Sequence, residues 1–140
     1  MKDQLSCATQ SIMDSPLVSF ELKEKYLLIT GLGKRDKLAE MIEASTQIYS
    51  KLRETKSRYL LVDYCKLQIN VHLHEAFNIV KRYETVQPEL KNVVIAAAFS
   101  GKGLEFGNYW KEIGRQRGFF IEIFEDIKMA ETWLLNQMEV

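Results

Sequence analysis

Two short stretches combine glycine with cations in a way that could bind an anion. Gly31-Leu32-Gly33-Lys34-Arg35 and Ser100-Gly101-Lys102-Gly103 each follow an apolar run and precede a helical pattern. Glycines bare backbone amides, and a helix amino end adds partial positive charge, so phosphate or carboxylate would suit such a place. Arg35 offers a planar fork for two parallel hydrogen bonds, while Lys34 and Lys102 would act as point charges. The candidate anion residues are therefore Gly33, Lys34, Arg35, Ser100, Lys102 and Gly103. Neither stretch is a P-loop, because G-x-x-x-x-G-K-[ST] does not occur in the chain. Gly101-x-Gly103-x-x-x-Gly107 has the wrong spacing for a dinucleotide fingerprint. The competing reading is two solvated turns, with Gly107 serving a close helix contact.

A second set is Asn70, His72 and His74. Asn70 is expected to cap a helix, which would place the two histidines in its first turn. Residues two apart on a helix project about 200° from each other, so the pair would not share a face for a metal. We expect no metal, and read Asn70, His72 and His74 as candidate contacts for a partner. Cys65 follows an apolar run and lies near His72, yet no third group orients that histidine. A free cysteine in such a place is expected to behave as a small buried hydrophobe. Paired carboxylates, Ser/His/Asp sets and zinc spacings do not occur, so neither an enzyme nor a cofactor is expected. Phe106, Tyr109 and Trp110 stand three and four residues apart and form one helical stripe. That stripe is either core or the wall of an apolar cavity.

The elements that must position these residues follow from periodicity. Residues 17–22 alternate, with Val18, Phe20 and Leu22 on one face, as a half-buried strand does. A charged turn, Lys23-Glu24-Lys25, leads into the apolar run 26–30, so the two strands make an antiparallel hairpin. After Asp36, a candidate cap, Leu38, Met41, Ile42, Ser45, Ile48, Tyr49 and Leu52 follow steps of three and four. Residues 59–63 are the third strand, and Leu73, Ala76, Phe77, Val80 and Tyr83 form the inward stripe of a second helix. Residues 93–99 are apolar at every position, which suits a parallel strand covered on both faces. A helix from about Gly103, a strand over 119–124 and a last helix capped by Asp126 complete the chain.

The order is ββαβαβαβα: an α/β fold with a five-stranded mixed sheet, its first strand antiparallel, packed with four helices. Parallel strands deliver the loops after the second and fourth strands to one edge, where α/β proteins bind ligands. With 140 residues and only two prolines, both at element boundaries, one domain over 16–140 is expected, preceded by a loose tail over 1–15. Charged residues balance at 19 basic and 19 acidic, which argues against nucleic acid as the partner. Two cysteines cannot build a disulfide framework, and no apolar run approaches the ~18 residues of a membrane span. Cytoplasm is the expected location. The first strand is expected at a sheet edge, and exposed edges are covered or paired. A homodimer through the hairpin or through the tail with Ile12 and Met13 is the expected assembly.

This order and three local features resemble the STAS, or anti-sigma-factor-antagonist-like, superfamily, over about residues 17–137. The features are Leu61-Val62-Asp63 before a loop and helix, Ile95-Ala96-Ala97-Ala98 before an aromatic-bearing helix, and Phe124-Glu125-Asp126 followed by Ala130 and Trp133-Leu134. Among its members the chain is most similar to small stand-alone STAS/SEC14-like proteins. The regulatory antagonists carry a phosphorylated serine after the third strand. Here that stretch is Asp63-Tyr64-Cys65-Lys66-Leu67-Gln68-Ile69-Asn70-Val71-His72, without serine or threonine. The resemblance thus implies a regulatory or protein-interaction domain without that switch, its protein partner unknown. The alternative is a small-molecule binder for an anionic or lipid-like ligand. An apolar cavity beside Trp110 would favour the binder, and a flat exposed apolar patch the interaction domain.

Overall fold

The computed structural model describes residues 17–138. The elements run β1 (Val18–Leu22), β2 (Leu27–Gly31), β3 (Lys34–Arg35), α1 (Leu38–Thr55), β4 (Tyr59–Tyr64), β5 (Gln68–Ile69) and α2 (Glu75–Val86). A 3-10 turn at Pro88–Asn92 follows, then β6 (Val94–Phe99), α3 (Lys102–Gln116), β7 (Phe120–Phe124) and α4 (Ile127–Gln137). The main sheet has five strands in the order β1-β2-β4-β6-β7, with β1 antiparallel to β2 and the other pairs parallel. This is the expected sheet, with its four helices. The tail expected over residues 1–15 lies outside the described residues, and with it Ile12 and Met13.

Alternation along the central strands sorts the core into two unequal layers. Leu60, Val62, Ile95, Ala97 and Phe99 face α1, α2 and α3, while Leu61, Ala96 and Ala98 face α4 alone. Small side chains on that second face let α4 sit close, with Ala130 and Leu134 fully buried against them. Asp126 caps α4 as its sequence suggests: Oδ1 accepts from Lys128 N at 2.6 Å and from Met129 N at 3.3 Å. Replacing Asp126 with alanine is expected to lower stability by about 1 kcal/mol, and asparagine to retain most of it. Denaturant unfolding of both variants checks this.

Four local expectations are corrected. Lys37 rather than Asp36 is the last residue before α1, and the Glu40 carboxylate accepts from the backbone N–H of both Asp36 (2.7 Å) and Lys37 (3.2 Å). Asn70 does not cap α2, which begins five residues later; its side chain donates instead to Asp36 Oδ1 at 2.7 Å. That bond, more than the nearby Lys34, lowers the Asp36 carboxyl below the usual carboxylate range. On α2, Ala76, Ile79, Val80 and Tyr83 are buried, whereas Leu73 and Phe77 are exposed at 38 % and 39 %. Finally, the loops after β2 and β4 are not free: β3 and β5 pair as a separate two-stranded parallel ladder, with Asn70 N bonded to Arg35 O at 2.8 Å.

The β7 edge of the sheet is covered by side chains. At β7 the Ile121 carbonyl accepts from Arg115 Nε (2.8 Å), and Ile123 N–H is turned to the Glu122 carboxylate (3.1 Å). Lys111 holds that carboxylate at 2.7 Å. Side chains thus occupy the backbone groups that another strand would use, a common protection of an edge. No helix among the described residues is long and apolar enough to cross a membrane.

Candidate functional site

The loops that carry the expected anion residues follow the parallel strands β2 and β6, and most of their polar groups are bonded within the chain. Arg35 is 1 % exposed. Its guanidinium donates to Leu32 O (3.0 Å) and Leu17 O (2.7 Å) and lies over the Tyr64 ring. It fastens the entry of β1 to the end of β2 from a buried position, not from the exposed loop in which the sequence places an anion-gripping arginine. Lys34 is exposed and pairs with Asp36 at 3.5 Å, and the Gly33 carbonyl accepts from Gln68 N. Ser100 donates its hydroxyl to the Cys65 carbonyl, tying the loops after β4 and β6 together. Gly103 is buried; its amide and that of Leu104 are bonded to Ser100 O (3.0 Å) and Gly101 O (3.1 Å). The amino end of α3 therefore presents fewer open amides than its glycines suggest.

Lys102 remains exposed and shares a shallow cleft with Asn70, His72 and Glu105. His72 and His74 belong to the turn before α2 and stack, ring centroids 5.4 Å apart and planes 20° apart. The helical geometry that would have separated them does not apply there. Among the described residues no group of three or more His, Cys, Asp or Glu is placed to hold a metal ion. The Cys65 thiol is half-buried, and that burial, with Asp63 beside it, pushes its pKa up to about 11. At neutral pH it stays a thiol rather than the nucleophilic thiolate.

A smaller but more enclosed, apolar cavity lies between α1 and the sheet. It has a volume of about 70 Å³. The sheet supplies Leu60, Val62, Tyr64, Ile95 and Phe99 as its floor; α2 gives Ile79 and Tyr83, and α3 gives Phe106 and Trp110. Its wall toward solvent is the half-buried face of α1: Met41, Ser45, Ile48 and Tyr49. Two hydrogen bonds join the helices around the cavity. Trp110 Nε1 donates to the Tyr83 hydroxyl at 3.2 Å, and Ser45 Oγ donates to Gln87 Oε1 at 3.1 Å. Gln87 is itself only 2 % exposed. No charged side chain lines the cavity among the described residues.

Of the aromatic stripe read from the sequence, Phe106 and Trp110 reach this cavity, whereas Tyr109 is 38 % exposed on the outer side of α3. Tyr83, Tyr64 and Ser45 were not singled out as site residues. For Ser45 a signal existed: it is the one small polar residue within an otherwise apolar and aromatic helical stripe. Tyr64 and Tyr83 gave none, because a tyrosine on an inward face reads as ordinary core.

This architecture defines an α/β protein of SpoIIAA-like, that is STAS-like, fold. A solved structure bears the likeness: the crystal structure of an uncharacterised protein from the DUF3478 family with a SpoIIAA-like fold, from Shewanella loihica PV-4. The two share 20 % sequence identity with a TM-score of 0.52, over 84 % of this chain and 91 % of that one. No protein-family model matches the chain, and no curated protein matches it significantly. The likeness extends to the fold.

Proposed function

We propose that the protein is a non-enzymatic binding module whose cavity beneath α1 takes a small, largely apolar molecule. The cavity beside Trp110 carries this reading. A domain that works only through a flat surface has no use for an interior void, whose lining forfeits packing contacts. α1 adds to it: of its 18 residues only Ala44 and Leu52 are fully buried, so the helix closes the cavity with side chains rather than by deep burial. Met41, flexible and polarizable, suits a wall that must adapt to its contents.

The test combines native mass spectrometry of the purified protein with toluene titration, read from Trp110 fluorescence after Trp133→Phe. The expected result is a small non-covalent adduct or, for empty protein, a saturable change in Trp110 emission with a rise in melting temperature. Ile48→Phe, which fills the cavity mouth, should abolish both. If toluene leaves emission and melting temperature unchanged, the reading fails.

A protein-interaction role has its own support. Leu73 and Phe77 are exposed beside His72 and His74, an apolar-aromatic patch at the start of α2. The same mass spectrum reads association, since a species of twice the 16.3 kDa chain would support pairing of two copies.

A further inference from the structure

We propose that α1 is a lid: it opens away from the sheet as one unit ahead of the rest of the fold, and two side-chain bonds to the turn after α2 hold it shut. This rests on the ligand-binding reading above and deepens it. A closed cavity of about 70 Å³ is less than half of the roughly 150 Å³ void that accepts benzene, so a ligand enters and stays only if one wall gives way.

The walls differ in their hold on the core. β4 and β6 lie inside the sheet, each hydrogen-bonded to a strand on both sides. α2 buries Ala76, Ile79, Val80 and Tyr83 within 12 residues. α3 buries Phe106 and Ile113, and its Gly107 and Gly114 come down on Phe99 and Ile121. α1 buries only Ala44 and Leu52 among 18 residues, while Met41, Ile48 and Tyr49 reach the cavity half-exposed. The element with the least buried apolar surface is the one that opens at the lowest cost. The void lowers that cost again, because Met41 and Ile48 face a gap and have fewer packing contacts to lose.

With so light an apolar hold, polar ties carry more weight. Ser45 Oγ donates to Gln87 Oε1 at 3.1 Å, and one turn further along the Tyr49 hydroxyl donates to the Glu89 carboxylate. Four residues apart, Ser45 and Tyr49 are neighbours on one face of the helix. Their acceptors stand on the segment between α2 and β6, which its own backbone fixes. Gln87 N–H bonds Tyr83 O at 2.9 Å, and Leu90 N–H bonds Gln87 O at 3.1 Å. The latch thus joins the least anchored wall to a rigid post.

Native-state hydrogen exchange of the full chain, read by NMR, tests the lid without any ligand. Amides of residues 44–52 in α1 are expected to exchange together, about tenfold or more faster than those of residues 106–113 in α3. Ser45→Ala and Tyr49→Phe each remove one tie, and each should speed the α1 amides by about fivefold. Asp126→Ala is the control, since the cap of α4 stays intact while α1 alone is open. It should speed the α3 amides by about fivefold and leave those of α1 unchanged. If Asp126→Ala accelerates α1 and α3 in step, α1 opens only when the whole fold does, and the lid is overturned. If neither Ser45→Ala nor Tyr49→Phe changes α1 exchange, the latch is overturned. Toluene separates the two readings: an opening α1 with no response to toluene sinks ligand binding alone, whereas toluene binding with α1 and α3 in step sinks the lid alone.

Discussion

Replacing Arg35 with alanine is expected to destabilise the protein by about 3–5 kcal/mol, the largest single effect among the loop residues. Three losses combine. The carbonyls of Leu17 and Leu32 lose charge-assisted donors at 2.7 and 3.0 Å. Leu17 O keeps the Leu32 N–H at 2.9 Å, so what is lost is the two bonds to the guanidinium, about 1.5–3 kcal/mol each. The guanidinium also leaves the Tyr64 ring, its carbon now 6.0 Å from the centroid, and the aliphatic stem leaves a void. Arg35→Lys keeps the charge but not the fork, since one ammonium does not span two carbonyls on different segments. It should recover less than half of the loss. Denaturant unfolding reads both variants, and an alanine variant within 1 kcal/mol of the parent would contradict the structural role. The same measurement in sulfate separates the two readings of this residue. A ligand-gripping arginine would lose anion-induced stabilisation, whereas a structural one leaves that increment unchanged.

Gly107→Ala is the second. An added Cβ would stand 2.6 Å from Phe99 Cδ1, 2.8 Å from Cε1 and 3.0 Å from Cγ. Phe99 is 2 % exposed and braced by Tyr64 and Trp110, so its ring cannot simply swing away. Overpacking of this kind costs about 1–3 kcal/mol, and it opposes the gain of about 1 kcal/mol from alanine inside a helix. We expect a net loss of about 1–2 kcal/mol. Gly114 on the same helix is the control. There the nearest atom is Ile121 Cδ1 at 2.6 Å, the far end of a flexible chain, and the next lies 3.7 Å away. Gly114→Ala should fall within about 0.5 kcal/mol of the parent, because a rotamer change makes room. Equal destabilisation by the two substitutions would show that the Phe99 contact is not the cause. Phe99 also forms part of the cavity floor, so Gly107→Ala should weaken toluene binding as well.

The order of strands and helices was legible because it is written in local periodicity. Val18 to Leu22 alternates, the α1 stripe repeats every three to four residues, and the unbroken apolar run of β6 announces a strand covered on both faces. Asp126 was legible for the same reason, since a cap contacts amides two and three residues away. What a side chain does once placed depends on neighbours remote in sequence, and the tertiary structure alone supplied those. Arg35 looked like a surface cation until Leu17, 18 residues earlier, came to lie against it. Asn70 looked like a cap until Asp36, 34 residues away, took its amide. The cavity needs α1, α2, α3 and two strands at once, so no window of sequence contains it. Periodicity marks which face turns inward, but only the packed layers decide whether that face meets a full core or a void. The difference is one of close packing between elements, where a gap of a single side chain separates a structural aromatic from a binding one.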